Sequence, residues 1–431
     1  IKNASDFAIA GRSLPLVMVI TTTFATWFGA ETVMGIPAKF VQGGLGAIVE
    51  DPFGAGTCLI LVGLFFAMRL YRQNLLTIGD FYRRRFGKGI EVFCSLIIIL
   101  SYLGWVAAQI TALGPVFSVL TQGAMSETAG MIVGTLAVLV YVVVGGFLAV
   151  AWTDFIQMIV LVIGLSIIAV FSADLAGGAD KVLAMAGQKD LWKFLPEPGF
   201  KDVAMFIGAA VTMMLGSIPQ QDVFQRVMSA KNAETARNGA VIGGVSYILF
   251  AFVPMFIVAS AVVVMGQQAL DIAKDDYQRL LPTFVLSKMP LIMQILFFGA
   301  LLSAIKSTSS ATLLAPSTSF VENILKNLRP HMGDKQQLLA MRWTIVAFAG
   351  LVLAYAIAMK GTPIYDLVSS AYQVTLVGAF VPLVVGLYWK RATTQGAIFS
   401  VVAGITVWII FFPQISGLGE SFPGQLAGLI A

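Results

Sequence analysis

Charge is what this chain has least of. Only 11% of its 431 residues are Asp, Glu, Lys or Arg, where a soluble domain carries about 25%. A water-facing surface cannot be built from so few, which excludes a soluble enzyme. Histidine is nearly absent, with His331 alone in a polar loop, and Cys58 and Cys94 are the only cysteines, both within or beside apolar segments. Neither a disulfide framework nor a His/Cys metal centre is expected. The phosphate loop GxxxxGK[ST] and the hydrolase signatures HExxH and GxSxG are missing, and no polar stretch is long enough for a catalytic domain. No enzymatic chemistry is expected, and no cofactor beyond a coupling ion.

Apolar sequence is what the chain has in excess. Hydrophobic residues make up 58% of it, mean hydropathy is +0.88, and apolar stretches of roughly twenty residues recur from end to end, the length that crosses a hydrocarbon core about 30 Å thick. The net charge of +5 does not mark a nucleic-acid partner. The basic residues lie in loops between spans, where the positive-inside rule places them. The reading is an all-α membrane protein, a single transmembrane domain over 1–431 whose standing partner is the lipid bilayer.

Eleven spans are expected, at 14–42, 48–70, 89–121, 128–146, 150–173, 202–224, 238–265, 291–325, 340–359, 364–389 and 393–413. The polar opening segment and the apolar fragment Gln425 to Ala431 suggest further helices beyond one or both ends. Loops 69–88, 225–237 and 326–342 carry 13 of the 27 Arg and Lys and are expected in the cytoplasm, together with Lys390 and Arg391. Loops 174–201 and 266–288 mix both signs and are expected outside, so the first span starts inside. Five spans form an odd set, and spans 6 to 10 must then run with the opposite polarity. That is the condition for an inverted repeat, with units 14–173 and 202–389 and an additional helix at 393–413.

Such a repeat predicts paired broken helices. Span 1 holds Phe28-Gly29-Ala30-Glu31-Thr32 and then Gly35 and Pro37, and span 6 holds Gly216, Pro219, Gln220 and Gln221. A mid-membrane break frees amides and carbonyls that must face protein, a cavity or an ion. Span 8 carries the polar run Ser303 to Thr312, in which Ala304, Ser307, Thr308 and Ala311 share one helical face. Two hydroxyls there, with carbonyls from an opened span 1, suit a hard cation such as sodium. Helix bridging by the same hydroxyls is the alternative.

At this point the sequence resembles the solute:sodium symporters, which share the inverted-repeat fold of the transporter LeuT. The resemblance covers nearly the whole chain. It rests on Ser5-Asp6-Phe7 with Ala10-Gly11-Arg12, on Gly145-Gly146-Phe147-Leu148-Ala149-Val150 with Thr153-Asp154 and Gln157, on Gln225-Arg226, and on the span 8 run continuing to Glu322-Asn323-Ile324. It implies a sodium site built from the carbonyls of Ala25, Phe28 and Ala304 and the hydroxyls of Ser307 and Thr308. It also implies a second ion site using Asp154 and Ser310. Lys306 departs from the family, which is apolar there, and a lysine within a span is a functional hypothesis by default. Either its ammonium takes the place of sodium and makes it the coupling group through proton release, or it lies off the ion face, about 200° around from Ala304, and pairs with an acid such as Asp154 or Glu31.

By the same resemblance the solute lies between spans 1, 3, 6 and 10, which nominates Gly29, Glu31, Thr32, Trp105, Gln109, Gln220, Gln221, Tyr372 and Gln373. Trp27 and Trp105 are similar to the choline-carrying branch, where aromatic faces attract a quaternary ammonium. Gln220 stands where that branch has another aromatic, leaving the cage short of one ring. Asp222 and Arg226, four apart, form a local ion pair or an inner gate. Gly239 and Gly243 more often mark close packing than a dimer face, and no oligomer is drawn from them. The expected function is symport of sodium, or of a proton through Lys306, with a small organic solute such as an amino acid, by alternating access. A quaternary amine, a monocarboxylate, and a sensor domain of a longer signalling protein are the alternatives. A bacterial inner membrane is the expected location.

Overall fold

The computed structural model describes residues 4–412, 415 and 418–431. Among these residues the chain is helical apart from its connecting turns and loops, and the only β-type pairing is an isolated bridge between Leu14 and Ala230. The spans are α1 (Leu16–Trp27), α2 (Glu31–Gly43), α3 (Leu45–Tyr71), α5 (Lys88–Leu120), α6 (Glu127–Leu175), α7 (Phe200–Gly216), α8 (Gln221–Ser229), α9 (Ala233–Met265), α10 (Leu291–Leu328), α11 (Asp334–Ala358), α12 (Ile364–Tyr388) and α13 (Thr394–Ile410). A short helix, α4 (Ile78–Phe86), precedes α5. Seven of these are long and apolar enough to cross a membrane, and two further crossings are bent pairs, α1 with α2 at 58° and α7 with α8 at 45°. The two breaks expected in spans 1 and 6 are therefore present.

Spans 4 and 5 of the sequence reading run together as α6. Its 49 residues would extend about 70 Å at 1.5 Å per residue, too long for one crossing. Gly146 divides it, with φ 56° and ψ −169°, a backbone that side chains resist. Tyr141 and Thr153, on either side, bond to one another across the kink, and the Tyr141 hydroxyl also donates to the Ala149 carbonyl at 2.7 Å. The closing residue of the expected span 393–413 lies outside the described residues.

All the basic loops meet at one end. Arg12 donates to the Tyr71 carbonyl, Tyr71 to the Ala230 carbonyl, Arg85 to the carbonyls of Trp389 and Lys390, and Lys88 to that of Asn327. The helix α4 is fixed there by local chemistry. Thr77 and Asp80 form a reciprocal cap, the Ile78 amide donates to Gln221, and Asn323 bridges Asp80 and Glu91. At the opposite end Lys39 pairs with Asp366 at 3.2 Å, and Glu127 with Arg279 and Lys360.

The core is held by close approach, as bilayer packing requires. Helices α6 and α10 share the broadest contact in the molecule. Gly239 and Gly243 of α9 lie against Val19 and Thr23 of α1, so this small-residue stripe is used within the chain.

Candidate functional site

The first break begins at Phe28, where φ −90° and ψ 70° take the main chain out of α1. The Ala25 carbonyl there accepts from Ser307 Oγ at 3.1 Å and Thr308 Oγ1 at 3.5 Å, both on α10. Ser307 also bonds Asp154 Oδ1 at 2.5 Å, and Thr22 of α1 donates to Asp154 Oδ2 at 2.7 Å. A carbonyl, three hydroxyls and a carboxylate thus converge from three helices, all buried. Such an all-oxygen set suits a hard monovalent cation. Ala304, also buried, is one turn before Thr308 on the same face.

Two nominated residues have other roles in this conformation. Ser310 donates to the Lys306 carbonyl at 2.7 Å, one turn back on its own helix. Lys306, half-buried, places its ammonium 4.3 Å from the ring centroid of Tyr141, against the α6 kink.

Beside the oxygen cluster lies an aromatic chamber. Trp27 and Trp105 meet edge to face at 5.9 Å, Tyr372 lies 5.5 Å from Trp105 and 6.4 Å from Trp27, and Tyr247 lies 6.4 Å from Trp27. Carboxylates flank these rings. Glu31 accepts from Trp105 Nε1 at 3.1 Å and from Gln109 Nε2 at 2.5 Å, while Gln109 Oε1 takes the freed Ala30 amide at 2.9 Å. Asp222 accepts from Trp27 Nε1 at 3.2 Å and from Tyr102 at 2.5 Å. Asp51 accepts from Tyr247 at 2.6 Å, and Tyr247 bonds Thr32 at 2.9 Å. The Tyr372 hydroxyl is buried with no partner.

Gly29 joins the two regions. A Cβ there would lie 2.7 Å from Thr308 Oγ1, 2.6 Å from Glu31 Oε2 and 2.7 Å from Gln109 Oε1, so the close approach requires glycine.

The chamber gathers Gly29, Glu31, Thr32, Trp105, Gln109 and Tyr372. Gln220 stands at its edge, donating to Ser101 at 2.9 Å and weakly to Thr375. Gln221 faces α4 through the Ile78 amide, and Gln373 accepts from Trp408 of α13 at 3.2 Å, so neither points toward the rings. Arg226 donates to the Asp222 main-chain carbonyl at 2.8 Å and to Thr26, rather than to the Asp222 carboxylate. Sequence reasoning missed Thr22, Asp51, Tyr102 and Tyr247. Of these only Asp51, an acid within an apolar run, carried a signal.

Toward the end away from the basic loops opens a cavity of about 680 Å³ lined by Lys39, Glu50, Asp190, Tyr365, Asp366 and Ser369. Glu50 accepts from Ser369 at 2.8 Å there, and its other oxygen has no partner. The Tyr365 hydroxyl, bonded by the Asp51 amide at 3.3 Å, lies between this vestibule and the chamber.

Residues 7–404 match the sodium:solute symporter family. The high-affinity choline transporter 1 of Caenorhabditis elegans is 27% identical over 418 residues, covering 94% of this chain and 71% of that protein. The high-affinity proline transporter PutP of Bacillus subtilis is 27% identical, covering 100% and 92%. The solved structure of a sodium-coupled sialic acid symporter in a substrate-bound outward-open state superposes with a TM-score of 0.84 at 20% identity, covering 100% of this chain and 91% of that one.

Proposed function

Because the chain belongs to the sodium:solute symporter family, a family of multi-pass membrane transporters and not of enzymes, we propose that the solute it carries with sodium is a small organic cation. One observation carries this reading. The acids Glu31, Asp51 and Asp222 are buried around the aromatic chamber and are held by neutral donors. Arg226, the basic side chain nearest, directs its hydrogen bonds elsewhere. A buried carboxylate is costly unless paired, and rings whose faces attract cations stand between the acids. Choline carriers among the relatives support the class, and Tyr247 and Tyr372 supply rings where Gln220 does not. An anionic monocarboxylate would meet repulsion from all three acids.

Sodium binds at Ala25, Phe28, Ala304, Ser307 and Thr308, with Asp154 bonded to the same hydroxyls, and so holds the broken first span in the shape that completes the chamber. Ion and solute then favour the same state, and each raises the other's affinity by the same factor. The units 14–173 and 202–389 act as the two inverted halves that rock around the site. The vestibule is the outer mouth and the basic end is cytoplasmic, in a bacterial inner membrane.

Uptake into proteoliposomes tests the reading. Labelled choline, simple amines, proline, glucose and short carboxylates are compared under an inward sodium gradient and an inward proton gradient at matched potential. Sodium-driven uptake of the cations is expected. Uptake confined to neutral or anionic solutes overturns it.

A further inference from the structure

The chamber has two acidic ends. The indole N–H of Trp27 points to Asp222 and that of Trp105 to Glu31, although the two rings touch. Tyr102 and Trp105, which hold those same carboxylates, are three residues apart on α5. Three residues of helix rise about 5 Å, so Asp222 and Glu31 stand roughly one turn apart along α5 with an aromatic wall between them. Tyr372 packs on both indoles, and its hydroxyl, fully buried, has no partner.

Glu31 and Asp222 are both buried, and their carboxylates accept from indole, amide and phenol donors rather than from a basic side chain. A quaternary ammonium has no N–H to give these acceptors, whereas a primary ammonium has three.

Resting on the organic-cation reading above, we infer that the solute is a linear diammonium: a short diamine with one ammonium at Glu31, the other at Asp222, and its methylene chain against Trp27, Trp105 and Tyr372. The Tyr372 hydroxyl accepts from one of the ammonium groups. The occupied state pairs both acids and gives that hydroxyl its partner.

Sodium-driven uptake of labelled putrescine, butylamine and choline by the full chain in proteoliposomes tests this. Putrescine is expected to half-saturate at a concentration at least about tenfold below butylamine, which has the same chain and a single charge. Glu31→Gln and Asp222→Asn are each expected to lower putrescine uptake on the order of a hundredfold, because one buried charge pair is lost. Both should bring the putrescine-to-butylamine ratio toward one. The wild-type ratio decides the matter even where a variant does not fold. Butylamine or choline carried as well as putrescine overturns the diammonium and leaves the organic cation standing, while uptake of neutral or anionic solutes alone overturns both.

Discussion

The two broken helices solve the same problem in different ways. At the second break the freed groups are closed by fixed partners from neighbouring helices: Thr375 donates to the Gly216 carbonyl at 2.6 Å, and the Asp222 amide donates to Tyr102 at 2.9 Å. At the first, the Ala25 carbonyl is met by Ser307 and Thr308, hydroxyls that can turn their lone pairs to an ion instead. The Ala30 amide is met by Gln109, whose other end holds Glu31. The freed backbone groups of the first break are therefore open to exchange with an ion, while those of the second are closed by fixed partners and only the Asp222 side chain there is left to a solute. A mid-membrane break does not by itself mark a binding site; what matters is whether its partners can be traded.

The sharpest way to break this contrast is Gly29→Ala. An extra methyl in a filled site costs about 1–3 kcal/mol, and here it would strike Thr308, Glu31 and Gln109 together. Sodium and solute affinities should fall jointly, by up to on the order of a hundredfold, read as paired shifts in half-saturating sodium and solute. A shift in only one of them would mean that Gly29 does not join the two sites. Next in size is Ser307→Ala with Thr308→Ala. Half-saturating sodium should rise about tenfold or more while the protein stays in the membrane and purifies as a single species. Unchanged sodium dependence would mean that the ion site lies elsewhere.

How much of this could be read in advance follows from what kind of signal each residue leaves. The breaks were legible because Gly, Pro and polar residues interrupt apolar runs locally. So was the hydroxyl face of α10, where one helical period fixes which side chains stand together. Gln220 and Gln221 are neighbours of the same type, yet one reaches Ser101 and the other the Ile78 amide. They lie at the restart of a helix after a hinge, where the 3.6-residue period cannot carry direction across. Tyr102 and Tyr247 were missed because a tyrosine in an apolar span looks like packing until the partner helix brings its acid. Spans 4 and 5 were separated between 146 and 150, next to the Gly146 kink, though the chain continues as one kinked helix.

A smaller effect is expected at the hinge. Thr375→Val keeps the shape of the side chain and leaves the Gly216 carbonyl without its donor, a cost of about 1–3 kcal/mol in stability. Thermal unfolding in detergent should register it, while half-saturating sodium and solute stay within about threefold. If Thr375→Val instead moved sodium affinity as far as the double hydroxyl variant does, the two breaks would be equivalent and the contrast would fail.

The smallest effect is expected at Lys306. Its ammonium stands over the Tyr141 ring, and that tyrosine bridges the Gly146 kink through Ala149 and Thr153. A cation over an aromatic face contributes about 0.5–2 kcal/mol, so Lys306→Met should lower thermal stability modestly. In this geometry the ammonium is a brace on the kinked helix, and the proposed sodium site in the oxygen cluster around Ser307 does not need it. Lys306→Met should then leave half-saturating sodium within about threefold and create no new proton dependence. The opposite result, transport that loses a proton dependence and gains a sodium dependence on removal of the ammonium, would make Lys306 the coupling group. Exchange at the first break would then serve the solute alone.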